Sequence, residues 1–189
     1  MGYLHINNLY KDQTILDCGM VYALEKIHGT SAHIHYGKTS PESTDPKSHQ
    51  LTFFSGGEKH DKFEALFDKT FLDFALYSFG LDSITVYGEA YGGKCQGMKA
   101  TYGDELKFVV FDVRFNGKWL TVPEAENVAR LLKLEFVDYA KIKADIVEID
   151  AQRDRDSTQA IRNGVGAGKR REGVVLRPLE ELFDERGNR

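Results

Sequence analysis

One lysine and two glutamates are the residues of this sequence best suited to chemistry on a phosphate group. Lys26 ends an apolar segment and is followed at once by a glycine bend, while Glu89 and Glu172 belong to two later apolar segments. An aromatic residue, Phe111, lies in a further such segment. An amine can attack phosphorus, carboxylates bind hard cations, and an aromatic ring stacks on a base. Together they predict a nucleotide site in which Lys26 attacks a phosphorus atom.

Attack by Lys26 requires that its amine lose a proton. A free lysine, with a pKa of about 10.4, is neutral in only about one molecule in a few thousand at pH 7. A bound metal ion would lower that pKa, and Glu89 and Glu172 are the predicted metal ligands. Their hard oxygens suit Mg²⁺ or Mn²⁺, which would also neutralise phosphate oxygens as pyrophosphate leaves.

Strands are predicted to position these residues. Apolar runs and alternating patterns predict strands over 20–24, 31–36, 51–54, 84–91, 106–115 and 172–176. The second strand is expected to pair antiparallel with the first, and Asn116-Gly117 predicts a hairpin. Strands outnumber helices and most are joined by hairpins, so the predicted fold class is α+β. Polar residues at strand ends would converge on a groove between sheets.

Helical spacing of apolar residues predicts the remaining elements. One amphipathic helix is expected over 61–79, ended by Gly80, and another from Thr121 to Leu132 with Pro123 in its first turn. The segment 141–162 is predicted to be a solvated helix with Ile142, Ile146 and Ile149 on its inner face. Residues 38–50 are expected to form a loop.

Two other polar clusters have simpler interpretations. His33 and His35 share a strand face, but no third metal ligand follows at a suitable spacing, so we expect solvated histidines. Residues 163–171 fail the phosphate-loop pattern, because Asn163 replaces its glycine and Arg170 its hydroxyl residue. We expect a flexible loop whose basic cluster, Lys169 to Arg171, could touch a phosphate backbone.

Bulk properties narrow the class of protein. A chain of 189 residues with 41% hydrophobic content fits one globular domain, and its net charge of -4 gives no global attraction to nucleic acid. Cys18 and Cys95 are too isolated for a zinc cluster or a disulfide scaffold. No apolar run approaches the roughly 18 residues of a membrane span, and the N-terminus lacks a signal-peptide layout. We expect a cytoplasmic monomer without membrane contact.

Four motifs, in order, resemble those of the covalent nucleotidyltransferase superfamily. The form is that of ATP-dependent RNA ligases of the RNA ligase 2 and RNA-editing ligase type, and the match covers roughly residues 24–178. The motifs are Lys26-Ile27-His28-Gly29-Thr30, Val86-Tyr87-Gly88-Glu89, Val109-Val110-Phe111-Asp112 and Glu172-Gly173-Val174-Val175.

The resemblance implies a fold and a reaction. The fold would be an ATP-grasp-like nucleotidyltransferase domain spanning residues 1–189, with mostly antiparallel sheets and flanking helices around a nucleotide groove. Lys26 would attack the α-phosphate of ATP to form lysyl-AMP. AMP would pass to an RNA 5′-phosphate, and an RNA 3′-OH would displace it to seal the strand.

It also implies roles for single residues. Glu89 would contact the ribose and assist metal binding, Glu172 would engage the Mg²⁺ or Mn²⁺, and Phe111 would stack on adenine. A core position is the alternative for Phe111. The remaining members of the site lie in the first motif: the backbone around Glu25 and Ile27 would read the base, Gly29 would complete the nucleotide-binding bend, and His28 would support the steps after adenylation.

Three departures from the family pattern affect the expected activity. Ser55-Gly56-Gly57 replaces a common arginine, and Ser31 replaces a frequent asparagine. The family's fifth motif, a lysine pair that grips the triphosphate, follows the fourth, but residues 173–189 contain no lysine. We therefore expect a shortened chain or a divergent member, with weak or absent self-adenylation.

Two alternatives stay open at this point. A DNA ligase core would share most of these motifs, but DNA ligases usually have aspartate where His28 stands, which favours RNA. A module that binds a nucleotide or RNA without catalysis would retain the fold and the basic cluster. It predicts nucleotide binding without a covalent product.

Overall fold

Two antiparallel sheets form the framework of the molecule. The structure is a computed structural model that describes residues 2–40 and 48–182. The larger sheet has five strands in the order β3-β2-β4-β5-β6, and the smaller has three in the order β7-β1-β8. The strands are β1 Met20–Lys26, β2 Thr30–Lys38, β3 His49–Ser55, β4 Ser83–Gly92, β5 Leu106–Phe115, β6 Lys118–Trp119, β7 Tyr139–Lys143 and β8 Gly173–Pro178.

In the described residues, six short α-helices flank the sheets. They are α1 His60–Glu64, α2 Lys69–Ser78, α3 Lys99–Tyr102, α4 Val122–Leu131, α5 Ile146–Arg153 and α6 Thr158–Arg162. The start of α4 is fixed by a capping interaction, because the Thr121 N–H donates to Glu124 Oε2 at 2.9 Å. Pro123 lies in its first turn, as predicted. None of the helices in the described ranges is long and apolar enough to cross a membrane.

Strand β1 contributes to two separate cores. Leu24 belongs to the main core, which also includes residues of the five-stranded sheet. Val21 and Ala23 pack with Ile142 and Ile149 in a smaller core on the opposite face. Because successive side chains of a strand point to opposite faces, Lys26 shares the side of Leu24 and Glu25 the opposite side.

Most predicted strands are confirmed. Strand β5 has the predicted limits, and the predicted strands 20–24, 51–54 and 84–91 fall within β1, β3 and β4, respectively. The strand predicted over 172–176 corresponds to β8, which begins one residue later, at Gly173. The hairpin between β5 and β6 is confirmed too, with positive φ values of 46° at Asn116 and 81° at Gly117. Of the expected 38–50 loop, residues 41–47 lie outside the described part of the chain.

Three predictions about elements are wrong. Strand β2 does not pair with β1; it pairs with β3 and β4 in the other sheet. The single helix expected over 61–79 is two, because the Asp68 carboxylate accepts the Phe71 N–H at 3.0 Å and starts α2 separately. The helix expected over 141–162 consists of the end of β7 followed by α5 and α6. Ile142 and Ile149 are buried, but Ile146 is 48% exposed.

The prediction of solvated histidines is wrong for His33. That residue is only 9% exposed, because its ring stacks on Phe54 of β3 at 5.0 Å and also contacts Tyr87 of β4. His35 is half-buried, with its Nδ1 2.8 Å from Thr85 Oγ1. Burial lowers the pKa of His33 to about 4, and also lowers the pKa of His35. Both rings are therefore neutral at pH 7.

Candidate active site

Lys26 and Glu172 meet across the three-stranded sheet. Strand β1 pairs with β8 so that Lys26 lies opposite Gly173, which places Glu172 beside it. The Lys26 Nζ forms an ion pair with Glu172 Oε1. Their side chains are 48% and 29% exposed, so a ligand can reach both.

Glu89 approaches this pair from the other sheet. It lies on β4, opposite Ser31 of β2. The pKa of Glu89 is raised to about 7, mainly by burial and also by the neighbouring Glu172, against the lowering effects of Lys26 and the Gly29 N–H. Three strands from two sheets thus bring the predicted nucleophile and both predicted metal ligands together.

The bend after Lys26 requires glycine at position 29. A Cβ there would lie 2.3 Å from the Ala90 carbonyl oxygen and 2.8 Å from Glu89 Cγ. Only a residue without a side chain lets the bend approach β4 so closely. Gly29 therefore sets the separation between Lys26 and Glu89.

Glu25 points away from Lys26 and caps α6. Its buried carboxylate accepts a hydrogen bond from Ser157 Oγ at 2.5 Å and one from the Thr158 N–H at 3.0 Å. Burial raises the pKa of this carboxyl, against the opposing effects of the Ser157 hydrogen bond and of Arg171. The Glu25 N–H donates to the Asp138 carbonyl at 2.8 Å.

Arg171 belongs to the same network, which corrects part of the predicted basic cluster. Its side chain is fully buried, and its Nη2 donates to Asp138 Oδ2 at 2.6 Å. A phosphate backbone cannot reach it. Lys169 and Arg170 of the cluster remain at the surface, in a loop as predicted.

Ile27 and His28 have different environments in the same bend. Ile27 is 6% exposed and belongs to the main core. The His28 N–H donates to the hydroxyl of buried Tyr102 at 3.2 Å, which fixes the backbone, and the imidazole is partly exposed. His28 lies two residues from Lys26, so its ring is close to the candidate site.

Phe111 is displaced from the regular ladder of β5. Gly88 pairs with Val110 and Tyr87 with Asp112, so Phe111 is the extra residue of a β-bulge. A bulge re-aims a side chain, and the half-buried Phe111 ring packs edge-on against Tyr3 with centroids 4.8 Å apart. Its ring is therefore not enclosed in the core.

A buried polar network next to Phe111 was not predicted. Asp112 is fully buried and accepts from Arg177 Nη1 at 3.0 Å and from the Tyr3 hydroxyl at 2.7 Å. Arg177 also donates to the Leu120 carbonyl at 2.7 Å. Asp112 ends the third motif and Arg177 follows the fourth in the sequence, but only the structure joins them.

Glu89 and Glu172 suit a metal that is held partly by substrate. Within the described residues no group of three or more His, Cys, Asp or Glu side chains could hold a metal by itself. Mg²⁺ typically takes one or two carboxylates and completes its shell with substrate phosphates and water. Two carboxylates beside an accessible lysine fit that pattern.

Comparison with known proteins identifies the family and the fold of this chain. The family model described as RNA ligase matches residues 19–189. A search of curated proteins found no significant match. Among solved structures, a variant of Naegleria gruberi RNA ligase with ATP and Mn is similar, with a TM-score of 0.72 and 14% identity over 97% of this chain.

Other structures of the Naegleria gruberi enzyme give the same result. An unliganded variant has a TM-score of 0.66 and 16% identity over 93% of this chain, and the enzyme with PPi has 0.65 and 15% over 90%. This chain spans about half of those proteins: 54%, 51% and 50% of their lengths, respectively. These likenesses show the expected nucleotidyltransferase fold, and the family model, which covers most of the sequence, shows that the chain belongs to the RNA ligase family.

Proposed function

We propose that this chain is the adenylyltransferase domain, residues 1–189, of an ATP-dependent RNA ligase, with Lys26 as the nucleophile. The observation that supports this most directly is the convergence of Lys26, Glu89 and Glu172 from three strands of two sheets. The solved relatives bound to ATP and Mn support ATP and a divalent metal as cofactors.

The ion pair describes the resting state of the nucleophile. Lys26 forms an ion pair with Glu172, and an ammonium group has no lone pair to donate. Loss of that proton and of the Glu172 contact must therefore precede attack. A divalent ion at Glu89 and Glu172 would supply positive charge that favours the neutral amine and stabilises the phosphate oxygens.

The proposed reaction has three steps. The Lys26 amine attacks the α-phosphorus of ATP, a phosphoramide bond forms, and pyrophosphate leaves. An oxygen of the RNA 5′-phosphate then attacks the same phosphorus and releases Lys26. Finally an RNA 3′-OH attacks the activated 5′-phosphate and AMP leaves.

Residues next to Lys26 would position the nucleotide. The half-buried Phe111, on the bulge of β5, would stack on adenine. Tyr3, which packs against Phe111, would border the base, and His28 would act in the steps after adenylation. RNA rather than DNA as substrate rests on family membership and on histidine at position 28.

Intact mass after incubation with ATP and Mn²⁺ tests the proposal. We expect an increase equal to one AMP that is abolished in Lys26→Ala and retained in Lys62→Ala, an exposed lysine of α1. A chain joined to a segment that carries the family's lysine pair is measured in parallel.

Two outcomes would contradict the catalytic proposal. Absence of an adduct in both chains would remove its main support. Nucleotide binding that survives Lys26→Ala, without any covalent product, would indicate a non-catalytic binding module. If an adduct forms, sealing of nicks with RNA or DNA on the 3′-OH side distinguishes an RNA ligase from a DNA ligase.

A further inference from the structure

A cavity lies on the face of the larger sheet that carries Glu89. On β4, residues at alternate positions share a face, so Ser83, Thr85 and Tyr87 lie on the side of Glu89. His33 and His35 of β2 lie opposite Tyr87 and Thr85 and face the same way. The cavity has a volume of about 420 Å³ and is lined by His33, His35, Thr52, Ser83, Thr85, Tyr87, Arg114 and Gly117.

This cavity adjoins the candidate active site along β4. Tyr87, in its wall, is two residues from Glu89 along β4. Tyr87 also contacts Tyr3, which packs against Phe111. A polymer bound with one end at Lys26 would therefore meet this face next.

The charge of the lining suits an anion. Among the described residues that line the cavity there is no carboxylate, although the chain carries 29 acidic residues against 25 basic ones. Asp112, which lies opposite Tyr87, is buried and bonded to Arg177. The cationic residue of the described lining is Arg114, and the hydroxyl groups of Thr85 and Tyr87 lie next to it. Guanidinium and hydroxyl donors are suited to a phosphate group.

Arg114 is held in place for such a contact. Its Nε donates to the Gly117 carbonyl at 3.0 Å, and its guanidinium lies 5.6 Å from the centre of the Trp119 ring. Together with an interaction between the guanidinium and the Tyr87 hydroxyl, these contacts hold Arg114 at the wall of the cavity. Fixing the guanidinium in advance reduces the conformational entropy lost on binding.

Phe54, which lies beside the lining residue His33, offers a ring for stacking next to the cavity. His33 stacks on Phe54 with an angle of 22° between the rings, and Phe54 is 47% exposed. Because both histidines are neutral, they contribute polar and stacking contacts without charge. Stacking on an aromatic ring binds unpaired bases of any sequence.

We propose that this face binds a short single-stranded segment of the RNA substrate, with a phosphate at Arg114 and a base on Phe54. The inference rests on the proposed ligase function. Phe54 and Arg114 lie on β3 and β5, which are separated by β2 and β4. Three strand spacings of about 4.8 Å therefore separate Phe54 from Arg114 by about 14 Å. A single nucleotide is too short to reach both residues, whereas a short segment can.

Fluorescence anisotropy with a labelled, 5′-phosphorylated single-stranded RNA tests the inference. Binding is measured without ATP or metal, so it does not depend on catalysis. We expect Arg114→Gln to weaken binding about five- to tenfold and to reduce the slope of log K against log salt by about 0.7, because one phosphate contact is lost. Arg114→Lys should keep the salt slope, which distinguishes loss of charge from misfolding.

Phe54→Ala tests the stacking contact separately. We expect binding about tenfold weaker with an unchanged salt slope, since no phosphate contact is lost. The matched controls are Arg130→Gln, an exposed arginine on α4, and Phe74→Ala, which is 72% exposed on α2. Both should bind RNA within twofold of the unaltered chain.

Three results would overturn the inference. They are no measurable RNA binding by the unaltered chain, Arg114 and Phe54 variants that match their controls, or tighter binding of duplex than of single-stranded RNA. Adduct formation by the unaltered chain is measured independently. Failure of the proposed ligase function would appear there, whereas failure of this inference would appear only in RNA binding.

Discussion

Adjacent residues of one strand have separate functions in this protein. Lys26 faces the site, whereas Glu25 faces away and joins α6 to Arg171. The alternation of side chains along β1 produces this division without any irregularity in the strand. The charged groups around Lys26 therefore respond to a ligand, while those around Glu25 hold the strand in place.

Glu89→Gln is expected to stabilise the protein in a pH-dependent way. The carboxyl has a folded-state pKa raised to about 7 from 4.5, so the folded state loses stability as pH rises between these values. Above pH 7 the variant should gain about 1–3 kcal/mol over the unaltered chain, and the difference should shrink towards pH 4.5. Urea unfolding at pH 4.5 and pH 8 measures this difference in unfolding free energy. An equal difference at both pH values would contradict the raised pKa of Glu89.

Asp112→Asn is expected to be strongly destabilising. It removes the charge that compensates buried Arg177, and breaking a buried ion pair costs about 3 kcal/mol or more. Because Arg177 also pairs with Glu181, we expect the loss of unfolding free energy to be close to about 3 kcal/mol. Asp150→Asn, in an exposed pair with Arg153, is the matched control and should cost less than about 1 kcal/mol. Similar losses of unfolding free energy in both variants would be inconsistent with this account.

The bend that connects β1 to β2 joins the two sheets at the site. Gly29→Ala is expected to push this bend away from β4, because its Cβ would overlap the Ala90 carbonyl. We expect a loss of about 1–3 kcal/mol in unfolding free energy and reduced formation of the AMP adduct. Gly2→Ala, which has nothing within 4 Å, is the control and should change neither quantity.

Local patterns predicted the elements whose neighbours are close in sequence. The apolar run of β5 and the Asn116-Gly117 turn define a hairpin with β6 that needs no distant partner. The spacing of Ile142, Ile146 and Ile149 fits a helix equally well, and only pairing of Tyr139–Lys143 with β1 makes its first part a strand. Likewise, no local signal places Phe54 over His33.

The candidate site was predictable to the extent that its motifs are contiguous. Lys26, Glu89 and Glu172 were each identified in the sequence, and the structure brings them together. The sequence could not show that Arg171 is buried against Asp138, because the two are 33 positions apart. It also could not show that the bulge at Phe111 opens its ring towards Tyr3.

At the scale of the whole molecule, the site spans both sheets, so a nucleotide there should stabilise them together. At an ATP concentration of about 100 times Kd, binding adds about 2.7 kcal/mol, which corresponds to an increase of about 5–10 °C in Tm for a chain of this size. Thermal unfolding with ATP and Mn²⁺, compared with Mn²⁺ alone, measures it. No increase beyond that seen with the metal alone would contradict a nucleotide site between the sheets.

The order of strands in the smaller sheet has a consequence for synthesis of the protein. Strand β1, near the N-terminus, is central between β7 and β8, which are made much later. The hairpins of the larger sheet can form while the chain is still emerging from the ribosome, whereas β1 must wait for both partners. Lys26 and Glu172 are 146 positions apart, so their contact is expected to be among the last formed. Incomplete nascent chains would then lack an assembled nucleophile and could not consume ATP at this site.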